Sequence, residues 1–93
     1  MNTPLNIRHN EDAHRFEARV EGWLCRCDYQ RVDDVLHLVH TEVAPSIEGR
    51  GIAAQLVKAA LDFAESKGLK VRPRCSYVLA YLRRHPERSA LVA

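Results

Sequence analysis

No run of about eighteen apolar residues occurs in this 93-residue sequence, so no membrane-spanning helix is expected. The opening MNTPLNIRHNED has no apolar stretch behind a basic flank. A secretory signal is therefore not expected, and the cytoplasm is the expected compartment. Four glycines and four prolines are scattered along the chain, leaving no linker, repeat or low-complexity segment. Cysteine is scarce and odd in number: Cys25, Cys27 and Cys75. That count argues against a disulfide framework. Cys25-x-Cys27 also lacks the Cys-x-x-Cys spacing of zinc and redox sites, so no metal is expected. Aromatic residues make up 6% and are not interleaved with the late basic cluster Lys67, Lys70, Arg72, Arg74, Arg83, Arg84 and Arg88. This argues against a stacking platform for nucleic acid and leaves the cluster as a solvated face.

What is present is ordinary globular composition: 46% apolar, 28% charged, net charge +2. One domain is expected over residues 1–93, with 88–93 as a loose tail. The first half reads as strands. Asn6–His9 is a candidate first strand. Arg15–Glu21 alternates, with Phe16, Ala18 and Val20 on one face. Glu21-Gly22 marks a hairpin turn. Trp23–Val32 alternates again, with Trp23, Cys25, Cys27 and Tyr29 facing inward. Asp33-Asp34 turns the chain into Val35–Val43, a nearly continuous apolar run that predicts a central strand covered on both faces. Pro45 ends it.

From Gly51 the period changes. Ile52, Leu56, Val57, Ala60, Leu61 and Ala64 recur at helical spacing, and Gly68 is the expected C-terminal cap. Leu69–Arg74 reads as a further strand. Ser76 is the expected cap of a short helix from Tyr77 to about Arg84, which Pro86 stops. The fold class is α+β: an antiparallel meander, then a β-α-β crossover of right-handed sense, then a short C-terminal helix.

The strand-to-helix junction carries Gly49-Arg50-Gly51. A helix starting there offers about four unpartnered backbone N–H groups and the positive end of its dipole, and glycine lets a ligand approach. The P-loop spacing is missing, and two glycines do not make the three-glycine dinucleotide fingerprint. On spacing alone, punctuation between strand and helix is the better explanation of the glycines.

Glu48-x-x-Gly51-x-Ala53 resembles the pyrophosphate loop of the GNAT acetyltransferases, whose pattern is Gln/Arg-x-x-Gly-x-Gly/Ala. Gly51 and Ala53 fit it; Glu48 stands where the family has Gln or Arg. "HTEV" (His40–Val43), "GRGIA" (Gly49–Ala53), "CSYV" (Cys75–Val78) and "YLRRHPE" (Tyr81–Glu87) are similar to the minimal, single-domain GNAT-like N-acetyltransferases. This resemblance spans about residues 16–87. It implies a GNAT-like mixed sheet, acetyl-CoA or coenzyme A as co-substrate, and an amine acceptor, small or protein-borne.

The resemblance further implies coenzyme A contacts from Val43, Glu48, Gly49, Arg50, Gly51, Ile52 and Ala53, and from Arg83, Arg84 and His85. The last three also complement a helix C-terminus without any ligand. Cys75 precedes a helix, where a thiolate is favoured; it either accepts the acetyl group, lines the thioester pocket, or is a buried structural thiol. His40 and Glu42 share a strand face, and either can take a proton from an acceptor; a satisfied core histidine and a rim carboxylate is the plain alternative. Tyr77 and Tyr81, four apart, are candidates to protonate the departing thiolate or are core aromatics. Three functions follow: an acetyltransferase, a coenzyme A-binding module without turnover, and a basic interaction protein. A monomer or homodimer suits so small a sheet with exposed edges.

Overall fold

A computed structural model describes residues 5–93; the first four residues of the opening stretch read above lie outside it. Five strands form one sheet in sequence order: β1 (Arg8–Asn10), β2 (Arg15–Val20), β3 (Trp23–Val32), β4 (Val35–Glu42) and β5 (Lys70–Pro73). The pairs β1–β2, β2–β3 and β3–β4 are antiparallel, and β4–β5 is parallel. Helix α1 (Ile52–Ser66) makes the crossover between β4 and β5, and α2 (Ser76–Arg84) follows β5. The mixed sheet and its β-α-β crossover are those expected.

Alternation decides which face is covered. Phe16, Ala18 and Val20 of β2, Cys25, Cys27 and Tyr29 of β3, and Leu36 and Leu38 of β4 are buried. They meet the apolar stripe of α1, where Ile52, Leu56, Val57, Ala60, Leu61 and Ala64 are all buried, and Val78 and Leu82 of α2. Each fully buried aliphatic side chain contributes roughly 1.5–3 kcal/mol by leaving water. This one-sided core, more than intrinsic propensity, holds α1 in place.

Several expectations are corrected. The first strand begins at Arg8, not Asn6. Trp23 is not inward: it opens β3 at the hairpin end and is 52% exposed. The strand Val35–Glu42 is not covered on both faces, since Val35, His37 and Val39 are half-buried and His40 is exposed. The outer face of the sheet carries ion pairs instead, Arg15–Glu17 of β2 at 2.6 Å and Arg26 of β3 with Glu42 of β4 at 3.6 Å among them. Ser76 is the first helical residue and Cys75 is the N-cap of α2.

The tail is not loose. Residues Pro86–Leu91 form a 3-10 turn, Leu91 is buried, and Val92 bridges Val71 in parallel. Ala93 N–H donates to the Val71 carbonyl at 2.9 Å, and Lys70 Nζ donates to the Ala90 carbonyl at 2.7 Å.

The predicted turns do form. At Glu21-Gly22 both residues have positive φ, 51° and 83°, as a two-residue type I′ hairpin requires. Gly68 has φ 69° just past α1, the left-handed position that ends a helix.

Candidate functional site

The site arises where two parallel strands part. The β4–β5 pairing runs from Val35↔Lys70 to Leu38↔Pro73. Beyond it, the Arg74 and Cys75 N–H groups both donate to the Leu38 carbonyl, at 2.9 and 3.1 Å. Chain β5 thus turns off into α2, while β4 runs on to Glu42. On its other side β4 carries a bulge. Asp28 pairs with His40 but Tyr29 pairs with Leu38, so Val39 is the extra residue. A bulge bends its strand and re-aims the side chains that follow. Thr41 is thereby set opposite Cys27 on the core face, and His40 opposite Asp28 on the outer face.

A cleft of about 530 Å³ fills the fork. It is lined by Thr41, Glu42, Val43, Ile47, Glu48, Gly49, Gly51, Ile52, Ala53 and Tyr77. Its floor is the start of α1. Gly51 caps the helix in the left-handed region at φ 75°, and Gly49 lies at φ 84°. The first intrahelical bond is Gln55 N–H to the Gly51 carbonyl at 3.1 Å, so the amides before it have no acceptor in the helix. No acidic side chain sits in the first turn of α1. Backbone donors, a dipole end and apolar walls together suit an anion joined to an apolar arm.

Cys75 adjoins this cleft as a half-buried thiol. Burial raises its pKa, yet the backbone amides of Val78 and Tyr77 and the hydroxyl and amide of Thr41 oppose that; the net shift is downward from the ordinary value of 9.0. The Cys75 side chain makes no capping hydrogen bond, so the effect of these amides is that of a helix N-terminus facing a sulfur. Cys75 S–H donates to Thr41 Oγ1 at 3.7 Å. Cys27, fully buried behind Thr41, is pushed up to about 12, chiefly by burial.

The other candidates divide. Tyr77 lines the cleft, and burial raises its pKa against the lowering effect of Arg84, so it stays a phenol with a proton to give. Tyr81 packs against the core and stacks on His85, ring centroids 4.2 Å apart, away from the lining residues. Glu42 lines the cleft, and His40 Nε2 lies 3.2 Å from Glu42 Oε1. Val43, Glu48, Gly49, Gly51, Ile52 and Ala53 converge on the cleft. Arg50 does not: its guanidinium is bonded to Glu21 of the hairpin. Arg83 and Arg84 are exposed at the far end of α2, and His85 pairs with Glu87 at 3.1 Å.

Thr41 was not anticipated. A lone threonine in an apolar strand has no sequence signal; only the bulge and the cysteine register reveal it. Among the described residues, no group of three or more His, Cys, Asp or Glu side chains is placed to hold a metal ion. No described helix is long and apolar enough to cross a membrane.

An open mixed sheet forked around a helix N-terminus defines the class, and comparison with known proteins agrees. The pattern of the GCN5-related N-acetyl-transferase family matches residues 15–91, and the chain belongs to that family. Within it, the chain is similar to Protein NATD1. The mouse protein is 36% identical over 86 residues, 89% of this chain and 78% of its own length. The human protein is 36% identical over 86 residues, 89% of this chain and 76% of its own length. An NMR structure of a GCN5-like protein from Staphylococcus aureus superposes with a TM-score of 0.76 at 25% identity, covering 96% of this chain and 88% of that one.

Proposed function

We propose that this protein binds acetyl-CoA in the fork between β4 and β5 and transfers the acetyl group to an amine. One observation carries the reading: a single cleft joins the N-terminus of α1, the end of β4 and Tyr77, and the Cys75 thiol is hydrogen-bonded to Thr41 of its wall. The diphosphate would rest on the amides around Gly49–Ala53, and the pantetheine arm along β4 beyond Leu38. The acetyl thioester would then end beside Thr41, Cys75 and Tyr77.

In direct transfer, the neutral amine attacks the acetyl carbonyl carbon, and its N–H proton passes to Glu42 or, through water, to His40. The carbon–sulfur bond breaks, and the departing thiolate takes the Tyr77 proton, which solvent replaces. In the two-step route, the Cys75 thiolate attacks first, giving acetyl-Cys75 and free coenzyme A, and the amine then takes the acetyl group from sulfur.

A second reading, a coenzyme A-binding module without turnover, draws on Glu48 and Arg50. A carboxylate lines the proposed diphosphate site, and the nearby guanidinium is held by Glu21. Calorimetric titration with acetyl-CoA and coenzyme A, followed by intact mass, tests both. Binding with a gain of one acetyl group that is lost in Cys75→Ala supports the two-step route. Acetylation of an added amine without enzyme mass gain supports direct transfer. Binding with neither selects the module, and no binding refutes both readings.

A further inference from the structure

Three side chains from three elements form a line between the core and the cleft. Cys75 S–H donates to Thr41 Oγ1 at 3.7 Å, and the Thr41 hydroxyl donates to Cys27 Sγ at 3.9 Å. Cys27 lies on β3 directly opposite Thr41 on β4, and Cys75 is the N-cap of α2. A hydroxyl has one hydrogen, so it serves one sulfur at a time. Cys27 has no exposed surface and stays a thiol, a weak acceptor. A thiolate at Cys75 is a much stronger one, because an ionised acceptor shortens and strengthens the bond.

We propose that Thr41 is a positioning residue for Cys75: on loss of the thiol proton, its hydroxyl turns from Cys27 to the Cys75 sulfur and holds the thiolate at the fork. The S–H bond is the only one broken, and its proton leaves to water in the cleft. This inference rests on the proposed function only for the use of that thiolate. The ionisation itself needs no acetyl-CoA.

The surroundings of the sulfur favour this assignment. From β4 it faces the hydroxyl and amide of Thr41, and from α2 the amides of Tyr77 and Val78. The ionisable groups nearby are Cys27 from β3, the Tyr77 phenol, and the Glu42 and Glu48 carboxylates that line the cleft. The last two oppose a thiolate. His40 leaves the opposite face of the sheet, and Arg74 Nε is directed to His37 Nδ1 at 3.3 Å. No cation therefore stands among the groups named as facing the sulfur, and neutral donors must hold the charge. Thr41 is the one side-chain donor among those named, apart from the Tyr77 phenol.

The test is alkylation of the native protein by iodoacetamide as a function of pH, read by intact mass. Cys25 and Cys27 are fully buried, so a single adduct reports Cys75. Thr41→Val keeps the side-chain shape and the backbone N–H but removes the hydroxyl. It should move the midpoint to higher pH and slow alkylation about tenfold near neutrality, the loss of one hydrogen bond to an anion. Thr41→Ser should restore the wild-type profile. Cys27→Ala, which removes the competing acceptor, should lower the midpoint.

A Thr41→Val profile matching wild type, or no restoration by Ser, overturns the proposal. Should the Val variant lose its native circular dichroism, Cys27→Ala decides: a midpoint unchanged or raised is equally fatal. Wild-type protein that shows the Thr41 effect but binds no acetyl-CoA would sink the proposed function and leave this inference standing.

Discussion

Arg50 sits in the glycine turn, where a cation would meet a bound diphosphate, yet its guanidinium reaches back to Glu21. Glu21 is exposed and Arg50 partly so, and surface pairs contribute only about 0.2–1 kcal/mol. The contact is thus easily exchanged for a phosphate. Glu21→Gln should leave the hairpin intact and release Arg50, tightening coenzyme A binding by up to about fivefold at low salt, the limit that energy allows. Calorimetry at low and high ionic strength checks it. An unchanged affinity would mean that Arg50 never meets the ligand.

Single residues were legible where a pattern surrounds them. Cys25 and Cys27 alternate with charged neighbours, and both are fully buried. Trp23 shares their parity but opens the strand at a hairpin and is exposed, although its partner Val20 is buried. Thr41 and His9 carry no pattern at all. His9 shares a hydrogen bond with Tyr29 at 2.6 Å and stacks on Phe16 at 4.1 Å. That aromatic contact depends on the register His9↔Phe16, which no local rule supplies.

Among the elements, the turn before α1 ties sequence to site most directly. Gly51 has φ 75° and caps the helix whose amides floor the cleft. An L side chain there takes the left-handed conformation at a cost of roughly 1–2 kcal/mol. Gly51→Ala should therefore lose about that much stability on urea unfolding. Its loop should relax toward negative φ and weaken coenzyme A binding at the same time. Gly51→Asn, which tolerates this region better, should lose less of both. Equal stability of the Ala variant and wild type would refute the strained cap.

The helix itself was readable from six apolar positions at helical spacing, because one face had a core to meet. The strand before it was harder. Its nearly continuous apolar residues suggested cover on both faces, but the bulge at Val39 and the absence of a second helical layer among the described residues leave the outer side to Arg26, Asp28, His40 and Glu42. Bulges arise from pairing between strands, so a single strand's sequence does not announce them.

At the scale of the molecule, a one-sided core has little apolar area to lose, and the C-terminus closes it. Lying after Pro86 with no strand or helix pattern of their own, residues 88–93 read as a loose tail. In the fold, Leu91 is 9% exposed within the core cluster, and Arg88 Nη2 meets Asp62 Oδ1 at 2.9 Å on α1. The bridge Val71↔Val92 occupies the free edge of β5 and so shields backbone groups that would otherwise invite another strand. Tertiary contact thus overrides the local signal, since one leucine and one edge bond suffice to dock a segment too short to fold alone. Leu91→Ala should cost about 2–3 kcal/mol, as buried leucine truncations do. In a chain this small that corresponds to a fall in Tm of roughly 10–20 °C. The exposed control Arg83→Ala should stay within about 0.5 kcal/mol of wild type. Thermal unfolding of the two variants side by side separates the alternatives: equal midpoints would show the tail to be as loose as its position suggests, whereas a large gap makes the last turn part of the support beneath β5, from which the fork opens.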